Sequence, residues 1–453
     1  MYETLKSVQQ EYVFSGATKS ASFRKKQLTK LKNMLIQHEE EFLQAVNKDL
    51  NKQETEAFMM EIGNVHQEIT HAIDSLDEWM EPVKVKTPVS HTGSKSYILS
   101  EPYGSVLIIA PWNYPIQLTF SPLVGALAAG NCAVVKPSEL TPHTSSAIAG
   151  AIRATFPQEI VSAVEGDAKT AEALLDQPFD YIFFTGSVAV GKIVMEKAAK
   201  HLTPHTLELG GKSPAIVTED AKLDLAAKRI AWGKFTNAGQ TCIAPDYVLV
   251  HESVHDKFLK KLQDHTYEMF ADKTKNGTFT QIVNEKHFNR LYHYLDNGHV
   301  VLGGQYSKEN RLISPTILTN VSWNSPIMQD EIFGPILPVF TYKSSSEALM
   351  RVRSLPNPLA LYVFSEREAS QQLFTEQLSF GGGCINDTLM HVANPYLPFG
   401  GKGPSGIGAY HGFESFRTFS HQKGMLKQTT KFDMPLRYKQ GKLANKMIRN
   451  VFK

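Results

Sequence analysis

The chain has 453 residues, 42% hydrophobic and 20% charged, with a net charge of +2. That length exceeds one ordinary core and predicts two or three domains, and the near-neutral balance gives no case for a nucleic-acid partner. The three cysteines argue against a disulfide framework and show no zinc spacing. With no apolar signal core and no run of roughly 18 apolar residues, a metal-free enzyme of the reducing cytoplasm is expected.

Leu28, Leu31 and Leu35, then Phe42, Val46 and Leu50, recur at helical spacing, and Phe58, Ile62, Val65, Ile69, Ile73 and Leu76 continue it. These predict helices with a core-facing stripe. Residues 89–96 turn polar before Tyr97-Ile98-Leu99, predicting a hairpin or extended arm able to lend an edge strand to a partner. From Ser105, the apolar runs at 106–109, 132–135, 161–164 and 181–184 alternate with helical stretches at 122–129 and 170–175. Such runs suit strands buried on both faces, hence an α/β fold with a doubly wound, Rossmann-type parallel sheet.

A second set of βα units follows Gly211 to about Phe380. Glycine clusters at 381–383 and 400–406 are the candidates for the chain's return to the first domain and for an exposed arm. The predicted division is a dinucleotide-binding domain of 1–87 and 104–210 and a catalytic domain of 211–384. Oligomerisation or bridging segments of 88–103 and 400–425 and a tail of 426–453 complete it.

Two residues stand out chemically. Glu208 lies in Leu207-Glu208-Leu209-Gly210-Gly211-Lys212-Ser213-Pro214, and Cys242 in Gly239-Gln240-Thr241-Cys242. A thiolate attacks a carbonyl carbon, and a carboxylate can then activate the water that displaces the sulfur. Free cysteines are usually buried hydrophobes. Cys132, inside an apolar strand, and Cys384, beside three glycines, are read that way, whereas Cys242 sits on a turn before a strand.

Other candidates follow strand ends. Gly186, Ser187 and Gly191 open a helix after an apolar strand, where backbone N–H groups favour a phosphate. Lys136 and Glu139 follow another strand, and Asn113, between prolines, offers an amide to an oxyanion or simply makes a turn. Glu331, two residues before Phe333, suits a ribose hydroxyl beside a planar ring, or an ordinary loop.

Together these segments resemble the aldehyde dehydrogenase superfamily over nearly the whole chain, and within it the class 3, fatty-aldehyde branch. Residues 242–247 and 406–412 carry the latter likeness, while Lys402 and Pro404 depart from the glycine-rich loop pattern. The resemblance implies NAD(P)-dependent oxidation of an aldehyde, medium- or long-chain aliphatic or aromatic, to the acid by a homodimer. Cys242 would form the thiohemiacetal, Asn113 and the Cys242 N–H would hold its oxyanion, and Glu208 would drive thioester hydrolysis. It implies Lys136 and Glu139 at the adenosine ribose, Gly186 and Ser187 at the pyrophosphate, Leu209 near the nicotinamide, and Glu331 with Phe333 at the nicotinamide ribose and ring. A carboxylate near the 2′ oxygen favours NAD, with Lys136 leaving NADP acceptable. The alternatives are a coenzyme A-acylating relative, in which Glu208 is superfluous, and a silent binding protein of the same fold, in which Cys242, Glu208 and Asn113 have no reason to coexist.

From 423 to 453 nine Lys or Arg face one acidic residue, Asp433, a local +8 that leaves −6 for the remainder. A helix there sets Lys442, Lys446, Arg449 and Lys453 opposite Leu443, Met447, Ile448, Val451 and Phe452. This suits either peripheral contact with an anionic membrane or docking on the protein itself.

Overall fold

The computed structural model describes residues 2–433, 437–438 and 440–451. Helices Tyr2–Phe14, Ala21–Gln37 and Glu39–Leu50 lead into a continuous run, Glu54–Ala57, a π-turn at Phe58–Ile62, and Gly63–Trp79. The stripe residues Leu28, Leu31, Leu35, Phe42, Val46, Leu50, Ile62, Val65, Ile69 and Leu76 are buried, but Phe58 is 42% exposed. The π-turn explains the exception. Its wider turn shifts the helical phase, so Phe58 leaves the stripe and Glu61 joins Ile62 inside.

Strands His205–Glu208, Tyr181–Thr185, Ser105–Ile109, Cys132–Lys136 and Val161–Ala163 form, in that spatial order, a parallel sheet. Ser105–Ile109, Cys132–Lys136 and Tyr181–Thr185 are buried along their whole length, as their unbroken apolar runs require. Gly406–Ile407 adds a sixth strand, antiparallel to His205–Glu208.

A seven-stranded sheet has the order His299–Leu302, Thr316–Thr319, Ile336–Tyr342, Tyr247–His251, Pro214–Val217, Ala360–Phe364 and Gly382–Ile385. Its first strand is antiparallel to its neighbour and the others are parallel. The chain crosses between the two sheets in the few residues separating Glu208 from Pro214.

Two expectations about the glycine clusters change. Gly382 and Gly383 lie in an edge strand of the seven-stranded sheet, so the return to the six-stranded sheet falls at 406–407. The arm is an antiparallel sheet of Val83–Val85, Ser94–Pro102 and Ser420–Gln428. Ser94–Pro102 is its central strand, paired from Ser420↔Pro102 to Gln428↔Ser94 on one side and with Val83–Val85 on the other. Only residues 96–98 are therefore paired on both sides; beyond them, among the described residues, 99–102 keep an unpaired edge on the side of 83–85, and the other outer edge belongs to 420–428.

Lys442–Val451 is helical, with Lys442, Lys446 and Arg449 exposed and Leu443 and Met447 exposed at 74% and 51%. Those two apolar side chains are not docked on the protein. Phe452 and Lys453, also named in the tail reading, lie outside the described residues.

Candidate active site

The carboxyl ends of parallel strands are where α/β sheets present ligand-binding groups. Here Ser105–Ile109 leads to Asn113, Cys132–Lys136 ends on Lys136, Tyr181–Thr185 is followed by Gly186 and Ser187, and His205–Glu208 ends on Glu208. The seven-stranded sheet answers with the amino ends of its strands. Cys242 precedes Tyr247–His251, Glu331 precedes Ile336–Tyr342, and Gly210 precedes Pro214–Val217. Asn113 and Glu208 of the first group meet Cys242 and Glu331 of the second where the chain crosses between the sheets.

Cys242 follows a tight turn in which Asn237, Ala238 and Gly239 are left-handed, with φ of 54°, 51° and 70°. Glycine is required at the third position, because a Cβ there would lie 2.3 Å from the Gly334 carbonyl oxygen. The turn leaves Cys242 partly accessible, with the N–H groups of Cys242 and Ile243 directed at its sulfur. Desolvation by the surrounding protein, and then the charges of Glu331 and Glu208, push the thiol well above its ordinary range. A sulfur so placed needs a base or an incoming ligand to ionise.

Asn113 is 3% exposed, and its Nδ2 donates to the Gln240 carbonyl at 3.0 Å, leaving its second N–H for another acceptor. The neighbouring Tyr114 hydroxyl meets the Thr241 hydroxyl at 2.7 Å. The oxyanion candidate and the nucleophile turn are thus tied together on both sides. Glu208 is 2% exposed, and among the described residues neither carboxyl oxygen has a hydrogen-bond partner. Burial raises its pKa well above the carboxylate range, so it is held as a strong proton acceptor.

Ser187 caps the helix Val188–Ala199, accepting from the Val190 N–H at 3.4 Å, and the exposed helix start leaves N–H groups facing outward for a pyrophosphate. Lys136 is buried and pairs with the Glu139 carboxylate at 2.5 Å, setting a cation and an anion side by side for a ribose. Gly191 is turned inward instead: a Cβ on it would come within 2.7 Å of Leu209 Cδ2, so it allows Leu209 its place under the cleft.

Glu331 accepts from the Gly211 N–H, and its carboxyl is raised by burial and by Asp246. A Cβ on Gly210 would lie 2.3 Å from its oxygen, so glycine there lets the carboxylate keep this place. Phe333 adopts φ of 50°, a rare conformation for an aromatic residue, and its ring meets Trp112 edge-on at 5.4 Å. These residues fit a nicotinamide dinucleotide: a free helix terminus for phosphate, two carboxylates for ribose hydroxyls, and glycines where the backbone must approach closely.

Three groups supporting this loop, and one lysine beside it, escaped the sequence reading. Lys212 pairs with Asp246 and donates to the Ile327 and Asp330 carbonyls at 2.9 and 3.0 Å. Asp246 accepts from the Ile332 N–H at 2.9 Å, and Arg290 donates to the Glu331 and Ile332 carbonyls at 3.2 and 2.8 Å. Lys234, fully buried with no hydrogen-bond partner for its amine among the described residues, stands near Asp246 and Glu331. The positions of Lys212 and Asp246 inside the two motifs were the only signal. Cys132 and Cys384 lie apart from this chemistry: burial pushes Cys132 up to about 12, and Cys384 sits 3.4 Å from His391 Nδ1.

Comparison with known proteins agrees with this geometry. The pattern described as "Aldehyde dehydrogenase family" matches residues 10–425. The 4,4'-diaponeurosporen-aldehyde dehydrogenase of Staphylococcus aureus is 48% identical, over 96% of this chain and 96% of its own. A dimeric NADP-preferring aldehyde dehydrogenase of Rattus norvegicus is 43% identical over 91% of each chain. Among solved structures, the substrate-bound state of Staphylococcus aureus AldH superposes with a TM-score of 0.97 at 46% identity, covering 100% of both chains.

Proposed function

Since the chain belongs to the aldehyde dehydrogenase family and is an NAD(P)-dependent aldehyde-oxidising enzyme, we propose that Cys242, Asn113 and Glu208 carry its chemistry. The Cys242 thiol gives up its proton to solvent and its sulfur adds to the aldehyde carbon, giving a thiohemiacetal whose oxyanion accepts from the free Asn113 Nδ2–H and the Cys242 N–H. A bound nicotinamide supplies the hydride acceptor that takes this carbon to the thioester level. Water then attacks the thioester, its proton passing to Glu208, and Cys242 leaves as thiolate while the acid departs. The observation that carries the reading is a buried carboxylate, without a hydrogen-bond partner among the described residues, beside a reachable thiol.

Glu208 also favours hydrolysis over transfer to coenzyme A. Addition of coenzyme A is expected to leave the carboxylic acid as product, and formation of the acyl thioester would overturn this. Loss of aldehyde-dependent NADH formation in Cys242→Ser is expected; retained activity would remove Cys242 from the mechanism.

For the cofactor, the reading is NAD preferred with NADP accepted, supported by Glu139 beside Lys136. The name of the rat relative records NADP preference for that protein, so the ratio of kcat/KM values for the two cofactors is the deciding measurement. A preference for NADP above about tenfold, about 1.4 kcal/mol, would overturn it. The substrate class is a medium- or long-chain aliphatic or an aromatic aldehyde; the name of the Staphylococcus aureus relative records 4,4'-diaponeurosporen-aldehyde for that protein. A homodimer joined through the arm, along the open edge of Ser420–Gln428, completes the reading.

Exposed Leu443 and Met447 beside Lys442, Lys446 and Arg449 support peripheral contact with an anionic membrane, where such an aldehyde dissolves. Co-sedimentation with anionic vesicles is expected for the full chain and reduced for a chain ending before 440. Equal binding would refute the contact.

A further inference from the structure

Lys52 and Glu61 form an ion pair at 2.6 Å with both side chains 0% exposed. Burying two charges gains little stability over an apolar pair of the same size. What this pair offers instead is directed hydrogen bonds, and all of them end on the loop that carries Asn113. Lys52 Nζ donates to the Asn113 carbonyl at 3.0 Å and lies 4.2 Å over the Tyr114 ring. The second Glu61 oxygen accepts from the Ile116 N–H at 2.8 Å. Glu56, from the same segment, accepts from the Asn237 N–H at 2.8 Å, and Asn237 Nδ2 donates to the carbonyls of Asn113 and Gln240 at 2.9 and 3.0 Å.

We propose that Lys52 and Glu61 are positioning residues that aim the Asn113 amide at the oxyanion, the π-turn at Phe58–Ile62 being the device that turns Glu61 inward. Three bonds from residues 52–61 reach the two halves of the site: Asn113 and Ile116 on one, Asn237 of the Cys242 turn on the other. Neither Lys52 nor Glu61 reaches substrate. The inference rests on the reading of Asn113 as an oxyanion donor. A displacement of about 1 Å in such a donor is enough to lower turnover about 100-fold.

The test is a double-mutant cycle between the pair and Asn113. Lys52→Met with Glu61→Gln removes both charges while the new amide oxygen still accepts from Ile116. Steady-state kinetics with an aldehyde and NAD are read beside NADH binding by fluorescence and a thermal melt. Expected is a fall in kcat of about 10- to 100-fold with aldehyde KM and NADH affinity within about threefold, and less than about threefold further loss when the pair is changed in Asn113→Ala. Glu61→Gln alone, which leaves the pocket volume intact, is to show a smaller fall with the same non-additivity, and serves if the paired variant does not fold. An equal loss in both backgrounds, an unchanged kcat in a folded variant, or a rise confined to KM overturns the proposal. Should Asn113→Ala itself retain full kcat, the oxyanion reading fails instead, and the two failures are distinct.

Discussion

Asn113→Ala isolates one hydrogen bond from the fold around it. The side chain is 3% exposed, and one of its two N–H groups is spent on the Gln240 carbonyl. Truncation does not orphan that carbonyl, because Asn237 Nδ2 donates to it at 3.0 Å. The Asn113 backbone oxygen likewise keeps Lys52 and Asn237. The cost to the fold is therefore that of one net hydrogen bond, about 1 kcal/mol. The cost to the reaction is that of an oxyanion donor, about 2.7–4 kcal/mol, or 100- to 1,000-fold in kcat. Because the charge on oxygen develops only as sulfur adds, the loss is expected in kcat and not in aldehyde KM. NADH absorbance over an aldehyde series gives both constants, and a thermal melt of the same preparation checks the fold. A folded variant with less than about tenfold loss in kcat, or a loss carried by KM, refutes the assignment.

Glu208→Gln is expected to stop turnover after acylation, so that one equivalent of NADH appears and a stable acyl adduct on Cys242 is detected by mass; steady turnover without adduct would count against the base role. The Cys242 thiol is raised and reacts deprotonated, so kcat/KM is to climb with pH between about 6 and 9, while the raised Glu208 carboxyl, acting after hydride transfer, gives kcat the same upward direction. A profile that falls over that range contradicts the pairing. Burial lowers the Lys234 amine from 10.5 to about 8, so the fold prefers it neutral. The penalty is absent above the unfolded value, grows as pH falls, and reaches about 3 kcal/mol below the folded value. Lys234→Met should then melt higher than the parent at neutral pH, with the gap closing near about pH 10; a lower melt at neutral pH would show that the charge is compensated.

Much of this architecture was legible because unbroken apolar runs have few uses: 106–109, 132–135 and 181–184 read as doubly buried strands and are. The motif glycines likewise marked Glu208 and Cys242. What escaped was set at a distance. The phase slip at Phe58 leaves no mark in composition, since Phe58, Ile62 and Val65 keep helical spacing whether or not a turn widens. The helix Gln117–Ala129 contains Pro122 in its interior, where a proline reads as a start. The arm took its register from Ser420–Gln428, more than three hundred residues from the strand it covers, and a local pattern carries no such pairing. Nothing in the sequence singled out Lys52 and Glu61, because only tertiary contacts reveal a buried pair.

The strand bearing Glu208 has the two residues Gly406 and Ile407 as its outer neighbour, with Ser405 accepting from the Leu209 N–H at 3.1 Å. Every group assigned to the reaction has been synthesised once Phe333 leaves the ribosome, yet the strand holding the base stays uncovered until the chain has run past Ile407. A nascent polypeptide lacking the last segment thus holds every one of these groups while the outer edge of the strand that carries Glu208 is still unpaired.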